Sequence, residues 1–393
     1  MRYPTKLGAR LGAAMALLAS APACASCAAA AQYNFLFSNQ PATTLAYGST
    51  YTYTASTSGG LTTNFTMKPA QNGLTSTVVA STTLPAIDTL VTGTDATKRD
   101  LVIGGTFSGR TADITSATRV ITVTFTFTQP VRDFTLSAHD IDFGSNQFRD
   151  WLMITGTSAA GTYNPSIVTP WGTSNATGGT RSNANSSVML GTSTTPLNLT
   201  VAQVAGTGAS DPNSNDGTIT ASFAQPVTSV TLRYGNAPYS AGENTTGQQA
   251  TGISGISFCP MPNITVAKTS APVAGTLGAY NLPGNDLTYT LTVTNSGASP
   301  VDAGTINLID MLPANTLFRN TVISGGLPFS IAPGTSGVTL AAGAASYSNN
   351  GGSTWTYTPA SGYDAAVNAL KIVPSGTMAA NSSFAISFVS QIK

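Results

Sequence analysis

The feature that most constrains this chain is an alternation of apolar and hydroxyl-bearing residues at every second position. In segment 120–138, VITVTFTFTQPVRDFTLSA, apolar side chains occupy the odd positions from Ile121 to Phe127, and threonines lie between them. A period of two places successive side chains on opposite faces of a β-strand. After QPVRD the apolar face resumes at Phe134. This pattern predicts a β-hairpin with Pro130 in its loop.

A second segment repeats the pattern 96 positions later. In 218–236, TITASFAQPVTSVTLRYGN, the sequence QPV recurs and Phe223 aligns with Phe127. A shared hairpin turn and an internal duplication explain this match equally well. Either origin favours antiparallel sheets packed face to face.

The rest of the chain has the same character. Period-two alternation recurs between clusters of Gly, Asn, Pro and Ser, and no convincing helical period is present. Only 8% of the residues are charged, Glu243 is the only glutamate, and no run of basic residues occurs. The sequence therefore predicts an all-β protein and excludes nucleic acid as a partner.

The first residues differ from the rest and predict export. Three basic residues among the first ten precede the apolar run 11–23, and small residues follow at 28–31. This order is typical of a secretory signal peptide, so we expect residues 1–31 to be removed after Ala31. The apolar run is too short to span a membrane. The expected location is the extracellular space or the cell surface, with no transmembrane span.

The three cysteines bear on the same prediction. Cleavage after Ala31 removes Cys24 and Cys27, which leaves Cys259 as a buried thiol acting as a small apolar residue. Cleavage further upstream would instead leave Cys27 able to pair with Cys259. Lipid attachment to Cys24 or Cys27 is disfavoured, because APA without a leucine precedes Cys24.

The sequence CPMPN at 259–263 marks a domain boundary, because a strand pattern ends there and a new one begins. We expect a signal peptide at 1–31, a larger jelly-roll-like β-sandwich at 32–260 and a smaller β-sandwich at 263–393. In the second domain the odd positions from Leu287 to Val293 are apolar and alternate with threonines.

Three stretches of the second domain occur in a distinctive order. They are ITVAKT (264–269), PGNDLTYTLTVTNSG (283–297) and LIDMLP (308–313). Together they resemble the conserved-repeat domain of bacterial surface proteins, domain of unknown function number eleven, over residues 263–393. The resemblance implies an immunoglobulin-like sandwich that serves as a spacer or building block outside the cell, and it implies no catalytic residue. The tail after Phe318 is longer than a short repeat needs.

The segment 137–151, SAHDIDFGSNQFRDW, carries the only histidine, His139, beside Asp140 and Asp142. Continuing the strand count from Phe134 places both aspartates on the apolar face. Either a bulge near His139 reverses the faces, or both carboxylates point toward the buried side. Buried carboxylates need an arginine, backbone N–H groups or a cation as partner.

Two interpretations of these aspartates follow. The first is a structural network of Asp140, Asp142, Arg149 and Trp151. The second is a calcium site, because Asp-x-Asp offers the oxygen ligands that calcium prefers and the loop DPNSNDG (211–217) is also rich in oxygen. Carboxylate catalysis is less favoured, since nothing fixes the separation of the acids. One histidine cannot form a histidine-rich metal site, and neither GxSxG nor HExxH is present.

These patterns predict an exported bacterial surface or extracellular-matrix protein with a non-enzymatic structural or adhesive role, and with surface glycans or proteins as partners. The alternative is a carbohydrate-binding module, dependent on calcium or not, in which exposed Trp or Tyr side chains stack on sugars. Trp171 is either a core residue, which is the favoured interpretation, or such an exposed platform. An exposed aromatic pair beside the aspartates would favour the alternative, whereas buried aromatic residues would favour a scaffold.

Overall fold

The computed structural model confirms the all-β prediction. Among the described residues, the only helical elements are two short 3-10 turns, Ala29–Ala31 and Phe37–Asn39, and no helix is long and apolar enough to cross a membrane. Most of the predicted signal peptide and Trp171 lie outside the described residues. The structure describes residues 29–93, 95–144, 148–169, 182–184, 188–189, 196–197, 199–206, 208–237, 247–276 and 278–393.

The chain divides between Met261 and Pro262 into two compact units. We call the part that ends at Met261 the N-terminal unit and Pro262–Lys393 the C-terminal unit. The strands of the N-terminal unit are β1 (Tyr33–Leu36), β2 (Thr43–Thr44), β3 (Tyr51–Ser56), β4 (Thr62–Asn72), β5 (Leu74–Ser76), β6 (Val78–Val79), β7 (Thr82–Thr83), β8 (Ala86–Asp88), β9 (Asp100–Phe107), β10 (Val120–His139), β11 (Phe143–Gly144), β12 (Phe148–Ser158), β13 (Gly161–Tyr163), β14 (Ser166–Val168), β15 (Ser182–Ala184), β16 (Val188–Met189), β17 (Pro196–Leu197), β18 (Gln203–Gly206), β19 (Ile219–Ser222), β20 (Val227–Asn236) and β21 (Gln248–Pro260).

The long strand β10 organises the N-terminal unit and corrects the hairpin prediction. It runs through Pro130 without turning back. Its first half pairs with β4 and β20, and its second half pairs with β19 and β21. Ala138 pairs with Ile219 near one end of β10, and Ile121 pairs with Tyr234 near the other end. The strands β19 and β20 therefore run one after the other, antiparallel to β10. The two QPV segments are therefore partners of each other, and neither is a hairpin.

The apolar residues shift from odd positions before Pro130 to even positions after Asp133, which suggested a turn. A bulge causes this shift. The register of β10 against β20 shifts between Thr126 and Val131, and Asp133 has a φ of 51°. Unpaired extra residues in one strand reverse which side chains face the core. Pro130 lies at this irregularity, where its missing N–H is tolerated.

The core of the N-terminal unit is rich in aromatic residues. The ring centroid of Phe127 lies 4.8 Å from that of Phe258, 5.8 Å from that of Phe134 and 6.2 Å from that of Phe65. All four side chains are less than 9% exposed. Aromatic burial on this scale contributes a large share of the hydrophobic stabilisation.

The C-terminal unit contains two sheets around one core. The first sheet has the order β22-β23-β30-β25-β28, with β26 also on β30, and the second has the order β24-β29-β27. In β23, the residues from Leu287 to Val293 alternate in burial as predicted. The strands are β22 (Ile264–Pro272), β23 (Asp286–Asn295), β24 (Leu308–Met311), β25 (Thr316–Asn320), β26 (Ser330–Ala332), β27 (Ala345–Ser348), β28 (Gly362–Asp364), β29 (Ala369–Ile372) and β30 (Ser382–Ile392).

Candidate functional site

The segment that carries the predicted aspartates lies where β10 ends. His139 is the last residue of the strand, and Asp140 takes a left-handed backbone conformation with a φ of 61°. Ile141 and Asp142 are then both buried, at 0% and 7% exposure. The backbone departs from the strand at Asp140, so the strict alternation that raised the question no longer applies beyond His139.

A loop that follows β18 holds both aspartates. The hydroxyl of Ser210 donates to Asp140 Oδ1 at 2.7 Å, and the backbone N–H of Ser210 donates to Asp142 Oδ2 at 3.1 Å. The end of β18 that leads into this loop fits tightly, because a Cβ at Gly206 would lie 1.8 Å from the carbonyl oxygen of Asp142. One residue of this loop thus binds both carboxylates.

A third carboxylate, Asp150 on β12, belongs to the same cluster. It is 1% exposed. Its Oδ2 accepts the backbone N–H of Asp142 at 3.0 Å, and its Oδ1 accepts the hydroxyl of Tyr234 at 2.5 Å and the Nε2 of Gln249 at 3.3 Å. Sequence reasoning missed Asp150 as a site residue, although it lies within the segment 137–151. We define Asp140, Asp142 and Asp150 as the carboxylate cluster.

The environment of the cluster disfavours negative charge. Burial, then the neighbouring Asp142, raises the pKa of Asp140 to about 7. Burial also raises the pKa of Asp142. The hydrogen bonds from Ser210 and with the Asp150 carboxyl lower this pKa, but burial has the larger effect. The pKa of Asp150 lies well above its usual range because of burial and the charge of Asp142. Desolvation and like charges act in the same direction here.

The positive charge that was expected beside the aspartates lies elsewhere. Among the described residues, Arg149 forms no ion pair with the carboxylate cluster. Its Nη1 donates to the carbonyl of Gly206 at 2.7 Å, and its guanidinium lies 4.3 Å from the centroid of the Phe143 ring. Trp151 packs in a separate apolar group with Ile114, Ala205 and Ala237. The predicted network therefore has different members: Ser210 and Asp150 contact the two aspartates.

His139 faces another carboxylate, on β9. Its Nδ1 lies 3.0 Å from the hydroxyl of Thr218, and its Nε2 lies 3.7 Å from Asp100 Oδ2. Burial lowers the pKa of His139 to about 4 and raises the pKa of Asp100 to about 7. A neutral histidine in a hydrogen-bonded position between strands acts as a structural residue.

A cavity of about 250 Å³ opens beside the cluster. Gln249 of β21 is 2% exposed, and its Oε1 has no hydrogen-bond partner in the described part of the chain. The cavity is lined by Val79, Leu90, Val91, Asp140, Asp142, Phe148, Ser210, Pro212, Gln248, Gln249 and Ala250. Among the described residues, no group of three or more His, Cys, Asp or Glu side chains is arranged to hold a metal ion.

The described aromatic residues near this cavity do not form an exposed platform. Among the described residues of the lining, Phe148 is the one aromatic side chain, and it is half-buried. In the described part of the N-terminal unit the exposed large apolar side chains are all aliphatic: Leu36, Leu61, Val78, Val168 and Val201. A second, larger cavity of about 600 Å³ includes Phe223 in its lining, but that ring is only 2% exposed.

Cys259 has a different state from the free thiol that was expected. It is fully buried and disulfide-bonded, and its partner lies outside the described residues. The strand that contains it, β21, pairs with β1 near the start of the described chain, with Tyr33 opposite Phe258. This finding favours the second of the two alternatives for Cys259, in which the thiol is paired.

Comparison with known proteins adds no family assignment. No protein-family model matches the chain, and no curated protein matches it either.

Proposed function

We propose that this chain is an exported bacterial surface or extracellular-matrix protein, with two β-sandwich units and a non-enzymatic structural or adhesive role. The observation that carries the proposal is the burial of the aromatic side chains. Tyr33, Phe65, Phe125 and Phe258 are among the largest fully buried side chains of the N-terminal unit. Rings packed in the core stabilise a scaffold and are themselves unavailable for stacking on sugars.

Two sequence features support the same function. The tripartite N-terminal pattern fits export, and the order of motifs in 263–393 resembles a repeat domain of bacterial surface proteins. The C-terminal unit has two sheets around a common core, which is compatible with the immunoglobulin-like sandwich implied by that resemblance. The neutral, hydroxyl-rich composition suits an exterior protein whose partners are other surface proteins.

Export is tested by expressing the full chain in a bacterium with a general secretion pathway and fractionating the cells. We expect protein outside the cytoplasm with a shortened N-terminus, identified by mass spectrometry. The matched control carries Leu17→Arg and Leu18→Arg, which place charge in the apolar run and should hold the chain in the cytoplasm at full length. Wild-type protein retained in the cytoplasm would contradict the proposal.

The scaffold role is separated from the alternative by a glycan array probed with and without a chelator. A scaffold should bind no glycan specifically under either condition. Specific binding that disappears with chelator would establish the calcium-dependent carbohydrate-binding module instead.

A further inference from the structure

We infer that the cavity beside Asp140, Asp142 and Gln249 binds one calcium ion, which stabilises the N-terminal unit and takes no part in catalysis. Calcium binding at this site does not depend on whether the protein is exported. Carboxylate oxygens lie close together here, a buried carbonyl has no partner among the described residues, and no described ion pair brings positive charge to the carboxylates.

The two aspartates are held side by side. Ser210 binds one oxygen of each carboxylate, at 2.7 Å for Asp140 and 3.1 Å for Asp142. Asp140 Oδ2 receives no hydrogen bond from the described residues, whereas the Asp142 carboxyl is also hydrogen-bonded with the Asp150 carboxyl. Asp140 thus retains an oxygen that can bind a cation beside the Asp142 carboxylate.

Gln249 provides an independent indication of a ligand. Its Nε2 faces two acceptors, Asp150 Oδ1 at 3.3 Å and the carbonyl of Gly235 at 3.5 Å, and these fix the orientation of the amide. The remaining atom, Oε1, is buried and has no partner among the described residues, yet Gln249 lines the same cavity as the aspartates. An unpartnered buried carbonyl destabilises the folded state. A cation in the cavity would satisfy it.

The charge balance points the same way. Asp140 and Asp142 share Ser210, and Asp150 accepts the backbone N–H of Asp142, so three carboxyl groups lie close together. None of the ion pairs among the described residues involves them. A divalent ion in the cavity would offset the repulsion between the carboxylates.

The donor atoms select the class of ion. Carboxylate and carboxamide oxygens suit calcium, whereas zinc and copper prefer nitrogen and sulfur. His139 is turned toward Asp100 and Thr218, and the described residues of the cavity lining include no histidine or cysteine. A volume of about 250 Å³ leaves room for several waters, which calcium needs to complete six to eight ligands.

The experiment uses the purified full chain, freed of metal with a chelator and then titrated with calcium chloride by calorimetry. We expect one calcium per chain and a melting temperature that rises with calcium concentration, because an ion that binds only the folded state stabilises it. Magnesium and zinc at equal concentration should bind at least tenfold more weakly.

The test variant is Asp140→Asn with Asp142→Asn, which keeps the shape of both side chains and removes their charge. We expect at least a hundredfold weaker calcium binding and loss of the calcium-dependent rise in melting temperature, with an unchanged far-ultraviolet circular dichroism spectrum. The matched control is Asp113→Asn, an exposed aspartate of the same unit bonded to Thr115, which should bind calcium like the wild type.

Two outcomes would overturn the inference. Wild-type protein that takes up no calcium at millimolar concentration would mean that protons neutralise the cluster. A double variant that binds calcium like the wild type would place the ion elsewhere. If the double variant does not fold, the single variant Asp140→Asn decides: unchanged calcium affinity refutes the site, and a tenfold or greater loss supports it. A failed calcium titration leaves the proposal of an exported scaffold intact, since that proposal rests on the fractionation and glycan results.

Discussion

Asp310 of the C-terminal unit and the carboxylate cluster of the N-terminal unit have different kinds of partner. In the C-terminal unit, Lys268 Nζ lies 2.7 Å from Asp310 Oδ1, and Arg319 Nη1 lies 3.1 Å from Asp286 Oδ2. In the N-terminal unit, the carboxylate cluster is contacted by hydroxyl, amide and backbone N–H groups, and by no lysine or arginine among the described residues.

This difference decides whether the charge of a carboxylate is balanced within the chain or by a proton or ion from solution. A lysine held beside a buried aspartate supplies the counter-charge within the chain. A cluster of acids without a cation must bind protons or take a metal ion from solution. We therefore expect the stability of the C-terminal unit to be insensitive to calcium and that of the N-terminal unit to rise with it.

The largest expected effect comes from removing the counter-charge of the C-terminal unit. Lys268→Met leaves Asp310, which is 3% exposed, as an unpaired buried carboxylate. We expect the free energy of unfolding of this unit to fall by about 3–5 kcal/mol, measured by urea denaturation of the full chain. The double variant Lys268→Met, Asp310→Leu should recover most of this loss. A single variant as stable as the wild type would mean that the pair contributes nothing.

The disulfide of Cys259 tests how the N-terminal unit is held at its chain start. Cys259→Ser, or reduction of the wild type, should lower the free energy of unfolding by about 2–4 kcal/mol. Thiol titration of exported protein under denaturing conditions sharpens the result. Cleavage after Ala31 would leave Cys259 as the only cysteine, with one reactive thiol per chain. A retained disulfide instead requires cleavage upstream of the partner cysteine, so the titration shows which expectation fails.

Within the carboxylate cluster, the loss in free energy of unfolding on substitution should increase with the number of hydrogen bonds that the aspartate accepts. Asp150→Ala leaves the hydroxyl of Tyr234, the amide of Gln249 and the N–H of Asp142 without their acceptor, so we expect a loss of about 2–3 kcal/mol in the free energy of unfolding. Asp140→Ala removes the acceptor of one hydroxyl, that of Ser210, and should cost about 1 kcal/mol. Denaturation in the presence of chelator gives both values, and equal losses would contradict this ranking.

The smallest expected effect is a change in pH dependence. Since burial raises the pKa of Asp140 to about 7, the folded protein keeps this proton at a pH where the unfolded chain has lost it. This contribution to stability is complete below about pH 4 and is lost as the pH rises through about 7. Asp140→Asn should make the decrease in stability between about pH 4 and pH 7 smaller, measured by urea midpoints without calcium.

The C-terminal unit provides the contrast for this pH measurement. Burial raises the pKa of Asp364, but hydrogen bonds from the N–H groups of Ala360 and Ala366 and from Tyr357 outweigh it and lower the pKa overall. Its contribution to stability is therefore present at neutral pH and is lost as the pH falls below the usual carboxyl range.

An identical pH profile for Asp140→Asn and the wild type would show that Asp140 stays solvated.

Local sequence determined the features that depend on neighbouring residues along the chain. Alternation from Leu287 to Val293 defines the inward face of β23, because a strand presents every second side chain to the same side. The same reasoning identified the buried Asp142 as a residue that needs a partner. These conclusions require only the period of a strand and the cost of burying a charge.

Tertiary structure decided which segments meet. The two QPV segments pair with each other across 96 positions, and a bulge near Pro130 mimics the pattern of a turn. Ser210, Asp150 and Gln249 reach the aspartates from a loop and from strands β12 and β21. Strand period restricts only the face on which a side chain lies, since any strand with an apolar face can pair with many others. The partners, and with them the oxygen atoms around the cavity, depend on long-range pairing and close packing that no local pattern encodes.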